Sequence, residues 1–254
     1  MAQRIGTTGG RTIAIGDIHG ATFALERLLV ELAPQPADRL VFLGDYIDRG
    51  PDSHGVVERL LQLEEERPDT VFLRGNHEQW LLSWLFGEDD TFLYLGGRQT
   101  WQSYARAAGV PFEESDDPAD FARLLPDDHL AFFDRTRLFY ETDDAVFVHA
   151  GLDPRVEDLS GQSTFALLMG HRDFFKAPDY GRAIVVGHTA TQIFRRDEPV
   201  FLPNGIVMCD TGGGYDGPLS AVEPVTGRVW QVPRVAPGGP ERSTPGSCQS
   251  SGVA

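Results

Sequence analysis

The sequence predicts an α/β fold with mixed β-structure. Three successive units in the N-terminal part each lead from a short apolar run of strand type, through a polar loop, into a helical pattern. A hairpin and further short strands follow later in the chain, so antiparallel pairing is expected beside parallel pairing. Between these parts, at about residues 87–137, the pattern changes to acidic patches and helical stretches, which predicts a helical insertion.

Each N-terminal unit joins a strand to an amphipathic helix. The strand-like runs occupy residues 12–15, 40–43 and 70–73. Apolar residues then recur at helical spacing: Leu25, Leu28, Leu29 and Leu32 in the first helix, Val56, Val57, Leu60 and Leu61 in the second, and Trp80, Leu81, Trp84 and Leu85 in the third. Pro34 and Pro68 end the first two helices, because proline cannot continue a helical hydrogen-bond ladder.

The C-terminal half is richer in strands. Residues 139–141 and 145–148 predict the hairpin, and single strands are expected at 183–186, 206–209, 219–222 and 228–232. After Pro233 the sequence is rich in Pro, Gly and Ser with almost no large apolar side chain, so residues 235–254 are expected to be a disordered tail. One domain is therefore expected over residues 11–234.

Composition excludes several classes of protein. A hydrophobic content of 41% supports a substantial core, while a formal net charge of -16 argues against sequence-independent binding to nucleic acid or anionic lipid. Cys209 and Cys248 are the only cysteines, so no disulfide framework is expected and a reducing cytoplasm fits. The first dozen residues lack the apolar core of a signal peptide and no run approaches the roughly 18 apolar residues of a membrane span, so we expect a soluble monomer.

Polar side chains that can bind metal follow five of the predicted strands. They are Asp17, His19, Asp45, Asn76, His149 and His188. This mixture of oxygen and imidazole ligands, without thiolate, suits Mn, Fe, Zn or a similar divalent ion and disfavours an oxygen-only magnesium site. Six ligands exceed what one ion takes from protein while leaving room for substrate, and a carboxylate can bridge two ions. We therefore expect a pair of metals, which is the arrangement that hydrolyses phosphate esters.

Hydrolysis of a phosphate ester also needs a proton for the leaving oxygen and positive charge for the phosphoryl oxygens. His77, next to Asn76, is the candidate proton donor, and Asp48 is the candidate residue that orients its ring. Arg49 is the candidate phosphate ligand, because a guanidinium grips phosphate at two points.

The ordered motifs Gly16-Asp17-Ile18-His19-Gly20, Gly44-Asp45-Tyr46-Ile47-Asp48-Arg49-Gly50, Gly75-Asn76-His77-Glu78, His149-Ala150-Gly151 and Gly187-His188-Thr189 resemble the signatures of a known family. It is the serine/threonine phosphoprotein phosphatase family of calcineurin-like dinuclear metallophosphoesterases, bacterial type. The resemblance covers roughly residues 11–232, and five motifs in order are far more specific than any one of them.

The resemblance implies a β-sandwich flanked by helices with the active site at one edge. It places Asp17, His19 and Asp45 on the first metal and Asp45, Asn76, His149 and His188 on the second, with Mn²⁺ as the expected ion and Fe, Zn or Ni as alternatives. His77 and Asp48 would be catalytic, while Arg49, Asn76 and Arg172 would contact the substrate phosphate. His54, His129 and His171 match no signature and are expected to be structural or surface residues.

Three functions remain open from the sequence. The first is hydrolysis of phosphoserine and phosphothreonine in proteins by metal-activated water, favoured by the full Asp48-Arg49 pair and by Glu78. The second is hydrolysis of dinucleoside polyphosphates such as diadenosine tetraphosphate, whose enzymes resemble this chain but usually depart from the Asp-Arg pattern. The third is a noncatalytic phosphoprotein-binding scaffold, which would be supported by the loss of a ligand; none is lost here.

Overall fold

The computed structural model describes residues 10–113 and 115–235 and contains two five-stranded β-sheets. The strands are β1 (Thr12–Ile15), β2 (Arg39–Phe42), β3 (Val71–Phe72), β4 (Phe139–Glu141), β5 (Ala145–Val148), β6 (Ala183–Val186), β7 (Val200–Phe201), β8 (Ile206–Met208), β9 (Leu219–Glu223) and β10 (Arg228–Val232). The α-helices are α1 (Thr22–Leu32), α2 (Ser53–Glu66), α3 (Asn76–Leu85), α4 (Arg98–Ala107), α5 (Pro118–Ala122), α6 (Asp127–Arg135) and α7 (Thr164–Met169).

Both sheets mix parallel and antiparallel strands. The first has the order β10-β9-β1-β2-β3, with β1, β2 and β3 parallel and β9 antiparallel to β1. The second has the order β4-β5-β6-β8-β7, with a parallel centre formed by β5, β6 and β8. In each parallel set the carboxyl ends of neighbouring strands meet at one edge, and that edge carries the predicted polar loops.

Side-chain alternation along the strands divides the core into layers. Ala14 faces the inter-sheet core, whereas Ile13 and Ile15 face the helices, as expected for strands buried on both sides. The inter-sheet core consists of Ala14, Val41, Leu43, Val71, Leu73, Ala145, Phe147, Val185, Val207, Cys209 and Val222. Helices α1, α2 and α3 cover the outer face of the first sheet and α7 covers the second. The predicted β-sandwich flanked by helices is therefore confirmed.

The region between α3 and β4 is helical and packs around one aromatic side chain. Phe121 of α5 is fully buried, and its ring centroid lies 5.9 Å from Trp84, 6.1 Å from Phe92, 5.7 Å from Trp101 and 5.4 Å from Tyr104. Aromatic pairs at these separations gain favourable edge and offset contacts beyond their area burial. The helices of this region thus share the core of α3 instead of standing apart from the domain.

The same region also touches the loop after β2. Gly96, with a φ of 118°, packs directly against this loop. A Cβ atom at this position would lie 2.9 Å from the backbone nitrogen of Arg49 and 3.0 Å from the Cβ of Asp48. Only glycine permits this combination of left-handed backbone and close approach.

Some elements differ from the expectations. Strand β3 keeps only two residues, and Leu73 forms a single parallel bridge to Arg137 instead of extending the strand. Strand β7 was not predicted, because two residues, one of them exposed, give no alternating signal. The expected disorder of the tail concerns residues that, apart from Val235, lie outside the described part of the chain.

The C-terminal end of the described residues contacts the loop after β1. Arg234 is 7% exposed, and its Nη2 donates to the His19 carbonyl oxygen at 3.4 Å, so the end of the described domain is tied to the first polar loop. Among the described residues, no helix combines the length and the apolarity that a membrane span needs.

An ion pair between the partly exposed Arg11 and the buried Asp38 joins the starts of β1 and β2. Asp38 accepts hydrogen bonds from Arg11 N at 3.0 Å, Arg11 Nε at 3.1 Å and Gln35 N at 2.7 Å. The Arg11 side chain lowers the pKa of Asp38 from 3.8 to about 2. Because the folded pKa lies below the ordinary value, the carboxylate stabilises the fold above pH ~4, and this contribution is lost as pH falls toward 2.

We expect Asp38→Asn to lower the free energy of unfolding by roughly 2 kcal/mol at pH 7, and the gap to wild type to shrink below pH 4. Urea unfolding of the chelator-treated proteins between pH 7 and pH 3 measures this difference in free energy of unfolding. Asp69→Asn, in the exposed turn before β3, is the matched control. If the difference in free energy of unfolding between the two proteins does not change with pH, the hydrogen bonds to Asp38 stabilise the fold without a shift in its pKa.

Candidate functional site

The predicted ligands converge at one edge of the sandwich, because each follows a strand whose carboxyl end lies there. Asp17 follows β1, Asp45 follows β2, and Asn76 begins α3 just after β3. From the other sheet, His149 follows β5 and His188 follows β6. Backbone bonds lock the loops together: His19 N donates to the Asp45 carbonyl at 2.9 Å. The sequence prediction that these loops meet is thus matched by the geometry.

Asp45 lies at the centre of the cluster. Its Oδ2 is 3.4 Å from His19 Nε2 and 3.9 Å from His77 Nε2, while its Oδ1 is 3.5 Å from His149 Nε2. The side chain is 3% exposed. Since the two carboxylate oxygens face histidines on opposite sides, this residue has the geometry that a bridging ligand requires.

The chemistry of the donor atoms fits a cation between Asn76, His149 and His188. His149 Nδ1 donates to the Leu43 carbonyl at 2.9 Å, so in a neutral ring Nε2 carries a lone pair. That Nε2 nevertheless lies 2.8 Å from Asn76 Oδ1, which also lies 2.8 Å from His188 Nδ1. Two lone pairs that face each other repel unless a cation lies between them, so a metal ion relieves this contact.

His19, on the other side of Asp45, is oriented in the same way as His149. Its Nδ1 donates to the Ile47 carbonyl at 2.7 Å, which fixes the ring and leaves Nε2 as the ligand atom. A backbone carbonyl that holds the second nitrogen is the usual support of a metal-binding histidine.

Acidic side chains surround the cluster in excess. Asp17 accepts from His188 N at 3.0 Å, and burial together with the charges of Asp210 and Asp45 raises its pKa well above the ordinary value. Asp210, only 4% exposed, follows β8 and was not among the predicted residues. The strand before Asp210 was predicted, so the position of an acidic residue directly after a buried strand was the signal that could have identified it. Divalent cations would neutralise this buried negative charge.

Beside the ligands, His77 and Asp48 form a fully buried pair. His77 Nδ1 donates to Asp48 Oδ2 at 2.6 Å, and both side chains have no exposed area. Thr100 of α4 donates to the second carboxylate oxygen at 2.6 Å and accepts from Asp48 N at 2.8 Å. Burial lowers the pKa of His77 and raises that of Asp48. The pair has the contact predicted for it, whereas no motif or pattern pointed to Thr100.

Arg49 reaches across both halves of the cluster. Its Nη1 lies 3.1 Å from His19 Nε2 and its Nη2 3.0 Å from His77 Nε2, and its guanidinium stacks 4.8 Å from the centroid of the Tyr215 ring. A guanidinium in this position can exchange these contacts for two phosphoryl oxygens. Arg172 is placed differently: its side chain is 85% exposed and its Nε lies 3.6 Å from Asp173 Oδ2, so its contact with phosphate stays a prediction.

Left-handed backbone is concentrated at this site. Among the described residues other than glycine, the positive φ values belong to His19, Asp45, Asp48, Arg49 and His188 and, away from the ligands, to Ala33 and Arg195. Conformations of this kind cost about 1–3 kcal/mol each and persist where the surroundings enforce them. The surroundings must therefore hold the ligand loops against their local preference.

Glu78 supplies much of that constraint. Its carboxylate is fully buried and accepts from Tyr46 N at 2.8 Å, Asp45 N at 2.9 Å and Gly75 N at 2.9 Å. One side chain thus clamps the loop after β2 to the start of α3, which are the segments that carry Asp45 and Asn76.

We expect Glu78→Gln to lower the free energy of unfolding of the chelator-treated protein by about 1–3 kcal/mol, because an amide NH₂ then faces backbone donors. Metal affinity should fall as well, since Asp45 loses its support. Urea unfolding and equilibrium dialysis against manganese measure the two effects. Glu88→Gln, an exposed change of the same type, is the control. Unchanged metal affinity in a destabilised variant would limit Glu78 to a role in the fold.

Comparison with known proteins agrees with this geometry. The chain is 25% identical to a bis(5'-nucleosyl)-tetraphosphatase PrpE [asymmetrical] of Bacillus thuringiensis, over 91% of this chain and 97% of that protein. It is 36% identical to the serine/threonine-protein phosphatase 6 catalytic subunit of Drosophila melanogaster, over 34% of this chain and 29% of that protein. The crystal structure of a candidate diadenosine tetraphosphatase superposes with a TM-score of 0.64 at 23% identity, covering 91% and 96% of the two chains.

The family profile described as calcineurin-like phosphoesterase matches residues 10–192 and so takes in all the strand-end loops that carry the clustered ligands. Members of this family use a dinuclear metal site, and the carboxylates, imidazoles and amide assembled here match that chemistry. No ligand position has been lost, which removes the support for a noncatalytic scaffold. The chain belongs to the calcineurin-like phosphoesterase family and is a metal-dependent phosphoester hydrolase.

Proposed function

We propose that this phosphoesterase hydrolyses phosphate monoesters of alcohols, with phosphoserine and phosphothreonine in proteins as its substrates. The observation that carries the proposal is the buried His77–Asp48 pair, with 2.6 Å between Nδ1 and Oδ2, beside Arg49. A serine or threonine alkoxide is a poor leaving group, so its departure needs a positioned proton donor. An enzyme for such esters therefore needs the arrangement found here.

The metal ligands in this proposal are those of the strand-end loops. Asp17, His19 and Asp45 would hold one ion and Asp45, Asn76, His149 and His188 the other. Two divalent ions bound there supply Lewis acidity and activate water as the nucleophile. Manganese is our expectation, with Fe, Zn or Ni as alternatives, since carboxylate, amide and imidazole donors suit all of them.

The protein's own groups perform the remaining steps. Arg49 grips two phosphoryl oxygens and lets go of the ring nitrogens of His19 and His77 that it contacts without substrate. His77 Nε2, which accepts from Arg49 in the structure, is then free to take up a proton from solvent water and to pass it to the leaving oxygen. Asp48 holds the opposite nitrogen of the ring, so the imidazole keeps its orientation and its cationic form is stabilised.

A second candidate substrate is a dinucleoside polyphosphate. It is favoured by the relatives that match nearly the whole chain, which are named as bis(5'-nucleosyl)-tetraphosphatases. A cavity of about 900 Å³ beside His188, lined by Ile193 and Tyr215 among others, is large enough for a nucleoside. The Tyr215 side chain is 62% exposed and offers a face on which a base can stack.

The two candidates make different demands on the site. A phosphate leaves as a stable anion, so cleavage of a polyphosphate depends little on a proton donor, whereas an alkoxide depends on it strongly. A base-stacking residue matters to the nucleotide alone.

The first test compares substrates directly. With manganese, we expect kcat/KM on phosphoserine and phosphothreonine peptides to exceed that on diadenosine tetraphosphate at least about tenfold, a difference of roughly 1.4 kcal/mol in transition-state stabilisation. Tyr215→Ala should then leave the ratio of these substrates unchanged. A preference for diadenosine tetraphosphate that Tyr215→Ala reduces would overturn the proposal in favour of the second candidate.

The second test separates proton donation from metal binding. His77→Asn should lower turnover of a phosphoserine peptide by about 10²- to 10⁴-fold with both metals still bound, and it should lower turnover of p-nitrophenyl phosphate much less, because p-nitrophenolate leaves without a proton. Arg49→Ala should lower the affinity for both substrates by a similar factor, because both lose the same contact with phosphate. Equal losses for His77→Asn on both substrates, with full metal content, would leave His77 as a positioning residue.

A further inference from the structure

A second cluster of metal-binding side chains lies outside the site already described. His54 and Glu58 stand one turn apart on α2, so both project from the same face of that helix. His129 comes from α6, and the ligand atoms of the three residues all lie within 4.8 Å of one another. None of them belongs to the strand-end loops, and no sequence motif associates the three.

The distances fit a tetrahedral ion. Glu58 Oε1 lies 3.2 Å from His129 Nε2 and 3.7 Å from His54 Nε2. Ligands bound tetrahedrally at about 2.0–2.1 Å from zinc stand about 3.3–3.4 Å from each other, and the two observed separations bracket that value. With all three ligand atoms within 4.8 Å of one another, the cluster is compact enough to close on one ion.

His129 is already oriented as a ligand. Tyr104 lies on its far side with 2.7 Å between the hydroxyl oxygen and Nδ1, and the His129 side chain is fully buried. When Nδ1–H donates to the tyrosine oxygen, Nε2 presents its lone pair to Glu58 and His54. Burial also lowers the pKa of His129, which favours the neutral ring that binds metal.

Access is open from the solvent side. The side chains of His54 and Glu58 are 23% and 47% exposed, so an ion can enter and keep a water molecule as fourth ligand. Two histidines and one carboxylate with an open position form a donor set that zinc accepts readily and that magnesium and calcium do not prefer.

We propose that His54, Glu58 and His129 form a separate Zn²⁺ site that fastens α2 to α6. Its position gives it a structural consequence: α2 begins directly after the loop that carries Asp48 and Arg49, and His54 N donates to Ser103 Oγ of α4 at 3.0 Å. An ion here therefore ties the helical region between α3 and β4 to the helix that follows the catalytic loop.

The test counts ions in the full chain. Chelator-treated wild type and the double variant His54→Gln/Glu58→Gln are dialysed against the same concentration of free zinc. The zinc bound per chain is then measured by elemental mass spectrometry. We expect the double variant to bind one ion fewer per chain and to gain less thermal stability from zinc, while its manganese-supported hydrolysis stays unchanged. Both altered side chains are partly exposed, so the variant should fold, and circular dichroism verifies this.

Glu64→Gln is the matched control. Glu64 lies on the same helix and also pairs with α6, through Arg135, but it has no histidine partner. It should keep the full zinc count. The single variant His54→Gln gives a second measurement, since removal of one imidazole should weaken zinc binding at this site and leave the contact between Glu58 and His129 in place. Equal zinc counts in wild type, His54→Gln and the double variant would overturn the proposal and leave the cluster as a hydrogen-bonded contact between helices.

Discussion

The geometry of the metal site depends on the buried carboxylate of Glu78. Four backbone N–H groups from two different loops donate to it, and one of them belongs to Asp45, whose φ is 53°. Without such an anchor, a loop with several left-handed residues would relax toward ordinary conformations. Rigid placement matters here because a metal bridge tolerates little displacement of its ligands. A residue that touches no substrate thus determines whether the reactive groups can meet.

Buried charge explains why the site needs cations. Asp17, Asp45 and Asp210 lie within one electrostatic neighbourhood and are nearly inaccessible to water. Arg49 is the cation that the described residues bring closest to the histidines, and one guanidinium offsets only part of this charge. The parallel strands gather these acids at a single edge, and divalent cations bound among them would offset the charge that Arg49 leaves uncompensated.

Much of this arrangement was predictable from the sequence. Each ligand stands directly after an apolar strand, so strand pattern and motif position together predicted the convergence of Asp45, Asn76 and His149. Thr100 was not predictable, because it comes from α4, whose placement depends on packing around Phe121. The zinc candidates were not predictable either, because α2 and α6 are far apart in the sequence. Helical periodicity shows which face is buried but not which neighbour it meets. For Arg172 the motif predicted a role that the observed contacts do not address.

The contact between Thr100 and Asp48 has a consequence for how this protein could diversify. The sequence predicts the region between α3 and β4 only as a helical insertion, yet the Thr100 hydroxyl of this region holds the Asp48 carboxylate, which in turn holds the His77 imidazole. A graft of this region from another enzyme would carry part of the reaction machinery with it. Any exchange of this region must therefore preserve a hydroxyl at the position of Thr100 if Asp48 is to keep its hydrogen bonds.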